Sequence, residues 1–246
     1  LGLDPLDVRR VNLYQDPATS GDARSMTAPY GQVIEDFVAD RILDELEAES
    51  GYRARRQAIA AFNASPDNQR RGRQRGLAIT PLKFGISFTA TMLNQGGALV
   101  MVYQDGTVSV NHGGTEMGQG LNTKMAQVAA DGLGIDVSLV RVTGTDTQKV
   151  PNASATAASS GADINGAAIN NACDQLRQRL VSVAAARLGC RADEVTLAGG
   201  QAHGGGRSLA WKDLVKQAWR DRVGLSVTGF YKTPEIGYDF ATLTGH

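Results

Sequence analysis

The sequence predicts an α+β fold of two layers, made of repeated β-hairpin and helix units behind an N-terminal helical segment. Three observations carry this reading. Over residues 33–50 the apolar residues recur at three- and four-residue steps, and from Gly76 short apolar or alternating runs mark strands. Asp105-Gly106 sits between two such runs as a hairpin turn. Single amphipathic helices follow the strand runs, a rhythm that suits two layers better than a doubly wound parallel sheet.

Residues 4–14 read as a helix, with Asp4 as a cap and Pro5 in its first turn. A polar turn is expected over 15–25, then a helix over 33–50. In that helix Ile34, Phe37, Val38, Ile42 and Leu46 form one apolar stripe, and the opposite face is acidic. Residues 53–63 continue helical and lead to Arg70, Arg71, Arg73 and Arg75. Such a run can bind nucleic acid. The alternative is a solvated surface balanced in part by the acidic helix before it. With Lys+Arg and Asp+Glu both totalling 25, the chain carries no net charge, which favours the second reading and argues against a polyanion as partner.

Strands are expected at 77–80, 83–90, 98–103 and 107–111, and a helix over 120–133 stopped by Gly134. A strand at 137–143, a loop over 150–160 and a long helix over 162–188 follow. The chain then gives a strand at 194–198, a Gly-rich turn through Gly206, an amphipathic helix over 209–222 with Trp211 and Trp219, and a strand at 225–231.

A chain of 246 residues, 42% of them hydrophobic, can bury a substantial core. Cys173 and Cys190 make neither a disulfide framework nor a metal pair and read as core residues on or beside one helix. No apolar run is long enough to span a membrane and no signal-peptide pattern opens the chain, so the default compartment is reducing and cytoplasmic. The opening L-G-L-D-P without methionine and the close at T-L-T-G-H read as a piece cut from a longer polypeptide.

The chemistry centres on residues 111–124, N-H-G-G-T-E-M-G-Q-G-L-N-T-K. Gly113, Gly114, Gly118 and Gly120 link a strand to a helix N-terminus. Glycines let main chain approach a bulky ligand, and converging N–H groups there suit an oxyanion. Gln119 adds an amide that both donates and accepts. A mobile glycine-rich turn is the alternative. A dinucleotide fingerprint would need a third glycine where Thr123 stands and an acidic residue nearer than Asp146. The P-loop and the serine elbow are absent, and His112, His203 and His246 lie far apart. With no nucleophile–base pair of its own, a catalytic role requires a cofactor that carries the reaction.

A second loop, V-P-N-A-S-A-T-A-A-S-S-G-A-D at 150–163, fits that requirement. Small residues at Ala157 and Ala158 let a flat group lie against the backbone. Ser159, Ser160 and Gly161 open the long helix with free N–H groups and hydroxyls. An ordinary serine-rich cap is the alternative for this loop alone; two such loops together imply a large anionic cofactor spanning them.

Five motifs in order make the chain recognisable: F-G-I-S-F-T (84–89), L-N-Q-G-G-A (93–98), G-G-T-E-M-G-Q-G (113–120), V-P-N-A-S-A-T-A-A-S (150–159) and T-G-F-Y-K-T-P (228–234). With the leading V-R-R-V-N-L-Y they resemble the molybdenum-cofactor-binding portion of the xanthine dehydrogenase and xanthine oxidase family, along essentially the whole chain. The resemblance implies residues 1–75 as a helical lead-in and 76–246 as part of the molybdenum-cofactor-binding domain. It implies an enzyme that hydroxylates hypoxanthine and xanthine with oxygen from water, using molybdenum-molybdopterin. FAD and 2Fe-2S clusters are expected on partner domains or subunits, together with the remainder of the large subunit, in an oligomeric enzyme that binds neither nucleic acid nor membrane.

By the same resemblance Gly118, Gln119, Ala158, Ser159 and Gly161 bind the cofactor, and the metal is held through the pterin with no direct side-chain ligand. Phe88, Thr89, Ala157 and Ala158 face the substrate, and an aromatic edge can orient a flat purine without consuming hydrogen bonds. Asn122 stands where relatives commonly have a histidine, a tuning difference. No catalytic residue is expected within the chain: the general-base glutamate lies downstream, and a glutamate, an arginine and a second phenylalanine that orient substrate lie upstream. Glu116 is not assigned as base. The alternatives are a hydroxylase of another N-heterocycle or an aldehyde, and a non-catalytic fragment for assembly or subunit contact.

Overall fold

Asp4 and Pro5 start the first helix as their chemistry requires: the Asp4 carboxylate accepts the N–H of Leu6 at 2.8 Å, and Pro5 occupies a position whose N–H would have no partner. The computed structural model describes residues 2–15, 21, 26–149, 153–234 and 236–245. Most of the polar turn expected over 15–25, Val150, Pro151 and Asn152 of the second loop, and His246 lie outside the described residues. The chain forms two units, Leu1–Gly85 with Asp239–His246, and Ile86–Tyr238.

The first unit holds α1 (Pro5–Val11), α2 (Ala39–Glu49), α3 (Tyr52–Ala64) and α4 (Pro66–Arg70). Leu6, Leu43, Tyr52 and Ile79 make its small buried core. The helix expected from residue 33 begins only at Ala39. Val33 pairs with Thr27 in an isolated β-bridge and Ile34 donates to the Met26 carbonyl, which takes the head of the apolar stripe out of the helix. The acidic face is answered by neighbours other than the basic run: Arg10 pairs with Asp44 and Glu47, and Arg53 with Asp7 and Glu47. Arg70 and Arg71 pair instead with Asp67 of their own helix, and Arg75 stacks over the Phe62 ring at 4.0 Å.

The strands expected at 77–80 and 83–90 do not form. Leu77 and Ile79 join the small core, and the Lys83 ammonium donates to the Tyr14 hydroxyl at 3.0 Å. Ser87 has φ +88°, which no continuous strand accommodates.

The second unit carries the α+β architecture. Strands β1 (Gln95–Val102), β2 (Val108–His112), β3 (Val140–Val142) and β7 (Ser226–Lys232) form a sheet in the order β3-β2-β1-β7. β1 pairs antiparallel with both β2 and β7, while β2 and β3 run parallel. Helices α5 (Leu121–Leu133) and α6 (Gly161–Leu188) are packed with this sheet around a core that includes Val100, Val110, Met125, Ile169 and Leu176. A Cβ on Gly229 of β7 would stand 2.0 Å from the Ala168 carbonyl, so strand backbone lies directly on helix backbone there.

Residues 201–210, expected as a turn leading into a helix, instead supply β5 (Gln201–Gly204) and β6 (Arg207–Ala210), which form a three-stranded antiparallel sheet with β4 (Thr196–Ala198). Leu209 pairs with Ala202 in that sheet, so α7 begins at Trp211 and runs to Arg220. The Trp211 indole is buried and donates to the Gly106 carbonyl at 2.8 Å, whereas Trp219 is exposed. Only the first half of the strand expected at 137–143 differs, forming a 3-10 turn. Cys173 is buried in α6, where burial pushes its thiol up to about 12, and Cys190 is partly buried; both are free thiols.

Candidate cofactor-binding site

The glycine loop is closed from within. Glu116 turns back over the start of α5, one oxygen accepting from the N–H of Gly118 at 2.9 Å and Gly120 at 3.0 Å, the other from Asn122 at 2.9 Å. An anion placed here would compete with a carboxylate already made by the chain, so the N–H groups expected to converge on a ligand at this helix end are in use. The Asn122 bond lowers the Glu116 pKa most, partial desolvation opposes it, and the Gly120 and Gly118 bonds add to the lowering. Gly118 and Gly120 adopt φ +98° and +74°, which side chains resist.

Gln119 is oriented by the same loop. Its Oε1 accepts the Met117 N–H at 2.6 Å and its Nε2 donates to the Thr115 carbonyl at 2.9 Å. Each amide end has a second hydrogen-bonding position, so Gln119 can meet a ligand while remaining held. Behind it His112 is buried. Its Nδ1 accepts from the Gly114 N–H at 3.1 Å, which assigns the ring proton to Nε2, 3.2 Å from Asn122 Oδ1. Burial lowers the His112 pKa, against smaller opposing effects of Asn122 and Glu116, and keeps the ring neutral. A Cβ on Gly114, just past the end of β2, would stand 2.4 Å from Leu121 Cδ2 and 2.9 Å from Asn165 Nδ2, so a side chain there requires both to shift.

Thr156 joins the two loops, its hydroxyl oxygen accepting the Thr115 N–H at 2.8 Å. Beyond it Ala158 and Ser159 take φ +52° and +53°. Adjacent non-glycine residues in the left-handed region are uncommon and mark a main chain held for a purpose beyond connection. Between the loops lies a cleft of about 450 Å³ bordered by Gln119, Lys124, Ala157, Ala158, Ser159 and Gly161. That volume is within the roughly 300–1,000 Å³ of small-molecule sites.

The cleft gathers Gln119, Ala157, Ala158, Ser159 and Gly161; Gly118, Phe88 and Thr89 do not line it. Phe88 is joined to it through Ser87, whose N–H donates to the Ala158 carbonyl at 3.1 Å. Two contributors escaped the sequence reading. Lys124, on the first turn of α5, borders the cleft and has no carboxylate partner among the described residues. Asn94 is buried and bonds both backbone groups of Phe88. The helix expected over 120–133 already put Lys124 on its first turn, but only the fold brings the second loop alongside it.

The residues present fit an anionic cofactor bearing hydrogen-bond donors. At α6 the first main-chain N–H groups, of Gly161 and Ala162, meet no acceptor among the described residues, because the Ser160 hydroxyl turns back to the Ala157 carbonyl at 3.1 Å. Those groups and Lys124 offer positive potential at one end of the cleft. Asn165 Oδ1 is buried beside Thr156 and Gly161 with no donor partner. A larger groove, about 840 Å³, is bordered by Asp105, Asp131, Asp136 and Trp211; one oxygen of Asp105 accepts the Thr107 N–H and one of Asp136 the Ser138 N–H, and this acidic border does not suit an anionic cofactor. Among the described residues no three His, Cys, Asp or Glu side chains converge as a metal site, and no helix is long and apolar enough to cross a membrane.

An α+β domain with two loops facing each other over an anion-accepting cleft defines a cofactor-holding module. Residues 45–246 match the family model of the molybdopterin cofactor-binding domain, and the chain belongs to that family, whose cofactor is molybdopterin. It is 43% identical over 244 residues to the xanthine dehydrogenase/oxidase of Gallus gallus, covering 99% of this chain and 16% of the relative. To the nicotinate hydroxylase hnxS of Emericella nidulans it is 44% identical over 242 residues, 98% of this chain and again 16% of the relative. The chain thus spans about one sixth of the length of these relatives. Among solved structures, quinoline 2-oxidoreductase of Pseudomonas putida 86 superposes with a TM-score of 0.68 at 23% identity, over 94% of this chain and 30% of that one. The Cu,Mo-CO dehydrogenase gives 0.70 at 18% identity with the same coverage, so the fold is shared.

Proposed function

We propose that this chain is the segment of a xanthine dehydrogenase-like molybdenum hydroxylase that grips molybdopterin and forms one wall of the substrate pocket. The complete enzyme oxidises hypoxanthine and xanthine to urate, in the cytoplasm, as an oligomer with FAD and 2Fe-2S clusters on other domains or subunits. The observation that carries the reading is the cleft between Gln119 and the strained Ala158–Ser159 backbone, in a chain 43% identical almost end to end to a xanthine dehydrogenase/oxidase.

Bound there, the cofactor supplies the metal centre at which oxygen from water is transferred and electrons are collected. The chain's own residues do the holding. Gln119, presented by Thr115 and Met117, hydrogen-bonds the molybdenum–pterin unit, with Gly118 giving the backbone bend that presents it. Ser159, the free N–H groups of Gly161 and Ala162, and Lys124 receive the phosphate. Ala157 and Ala158 are small enough to leave room for the ring, and Phe88 with Thr89 contributes the aromatic wall. Glu116 is no general base in this scheme, since both carboxylate oxygens serve the glycine loop. Residues 76–246 act as part of the cofactor domain and 1–75 as its helical lead-in.

The test is molybdenum and pterin content of the complete enzyme, followed by steady-state rates on xanthine, nicotinate and an aldehyde. Near-stoichiometric molybdenum with xanthine as the preferred substrate is expected. Preference for nicotinate would favour the second reading, which the 44% identity to a nicotinate hydroxylase supports. Folded enzyme without molybdenum would favour an assembly module.

A further inference from the structure

The wall residue Phe88 lies outside regular secondary structure, yet both its backbone N–H and its carbonyl are hydrogen-bonded. Asn94, 1% exposed, faces it with its amide: Oδ1 accepts the Phe88 N–H at 2.8 Å and Nδ2 donates to the Phe88 carbonyl at 2.9 Å. A side-chain amide here replaces the neighbouring strand that this segment lacks. Asn94 is itself anchored through main chain, its N–H donating to the Thr91 carbonyl at 2.9 Å and its carbonyl accepting from Thr233 at 3.1 Å at the end of β7. On the other side of Phe88, Ser87 at φ +88° bonds the Ala158 carbonyl. Phe88 is therefore held between the central sheet and the cofactor loop.

We propose that Asn94 is a positioning residue for substrate: its amide sets the height and tilt of the Phe88 ring relative to the Ala157–Ala158 backbone, and so the fit of a flat heteroaromatic ring. The proposal rests on the reading of Phe88 as a substrate wall. Half an ångström of backbone drift is enough to spoil such a contact. Because the main-chain bonds of Asn94 survive replacement of its side chain, the sheet and the 3-10 turn Thr91–Leu93 before it stay anchored.

The test uses the complete enzyme with xanthine as probe and compares wild type, Asn94→Ala, Phe88→Ala and the double variant for KM, kcat and molybdenum content. Asn94→Ala is expected to raise KM about tenfold with molybdenum content unchanged, from misplacement of the ring. The double variant is expected to match Phe88→Ala, since the clamp acts only through that ring. A raised KM in Phe88→Ala beside an unchanged KM in Asn94→Ala, or additive effects in the double variant, overturns the role of Asn94 alone. An unchanged KM in Phe88→Ala overturns the wall reading and this proposal with it. Should Asn94→Ala not accumulate as folded, loaded enzyme, Asn94→Asp takes its place, keeping the acceptor for the Phe88 N–H; failure of both to fold assigns Asn94 to stability and overturns the proposal.

Discussion

The Glu116 carboxylate accepts the main-chain N–H of Asn122 at 2.9 Å, and so caps the helix that a phosphate would otherwise be free to occupy. The glycine loop is pre-shaped by its own acid, whereas the helix that opens at Gly161 has no side-chain cap. Glu116→Ala should lower molybdenum retention about tenfold, the lower end of what loss of a supporting partner costs a metal site. Glu116→Gln, which keeps an acceptor, should fall between it and wild type.

The same carboxyl gives the loop a pH dependence. Its folded pKa lies below the ordinary 4.5, so the support it lends is present above that value and is lost as the pH falls through the lower folded value. Cofactor retention in wild type should fall on acidification below about pH 4.5, and in Glu116→Gln this component should vanish. Molybdenum analysis after incubation across the range measures both.

Gln119→Ala removes the amide but leaves Glu116 and the glycines in place. Slower turnover or lower molybdenum content is expected, with KM for the purine little changed. If turnover and molybdenum both equal wild type, Gln119 does not touch the cofactor.

Lys124 has a simple electrostatic prediction. Lys124→Ala should weaken cofactor retention by about threefold to tenfold, because an exposed charge is partly screened. Lys124→Arg should restore most of it. The difference should shrink as salt is raised during a dialysis assay, and an effect insensitive to salt would exclude a phosphate contact.

Gly229→Ala probes the fold. Its new methyl would meet helix backbone at the Ala168 carbonyl, 2.0 Å away, where no rotamer change can relieve it. A loss of roughly 3 kcal/mol in stability is expected from overpacking of this kind, read as a lowered melting temperature of the complete enzyme. Gly118→Ala, whose Cβ meets nothing within 4 Å, should cost less and only through its positive φ.

The sequence by itself determined the helices of the second unit, the Asp105-Gly106 hairpin, the two loops and residues that line the cleft between them. Those features are local: a helical period, a turn dipeptide and small residues before a helix N-terminus carry their own signal. Family motifs added roles to positions that local physics left open. Tertiary structure alone decided which helix end is free: Ser160, a usual N-cap type, turns its hydroxyl back to Ala157, while Glu116, five residues before its helix, covers the N–H groups there. It also decided that Ser87 breaks the expected strand and that Asn94 stands in for the missing ladder. Four-residue strands such as β5 and β6 went unread for the same reason: pairing between distant or glycine-rich segments is a property of what they meet, and the chain's own letters do not encode it locally.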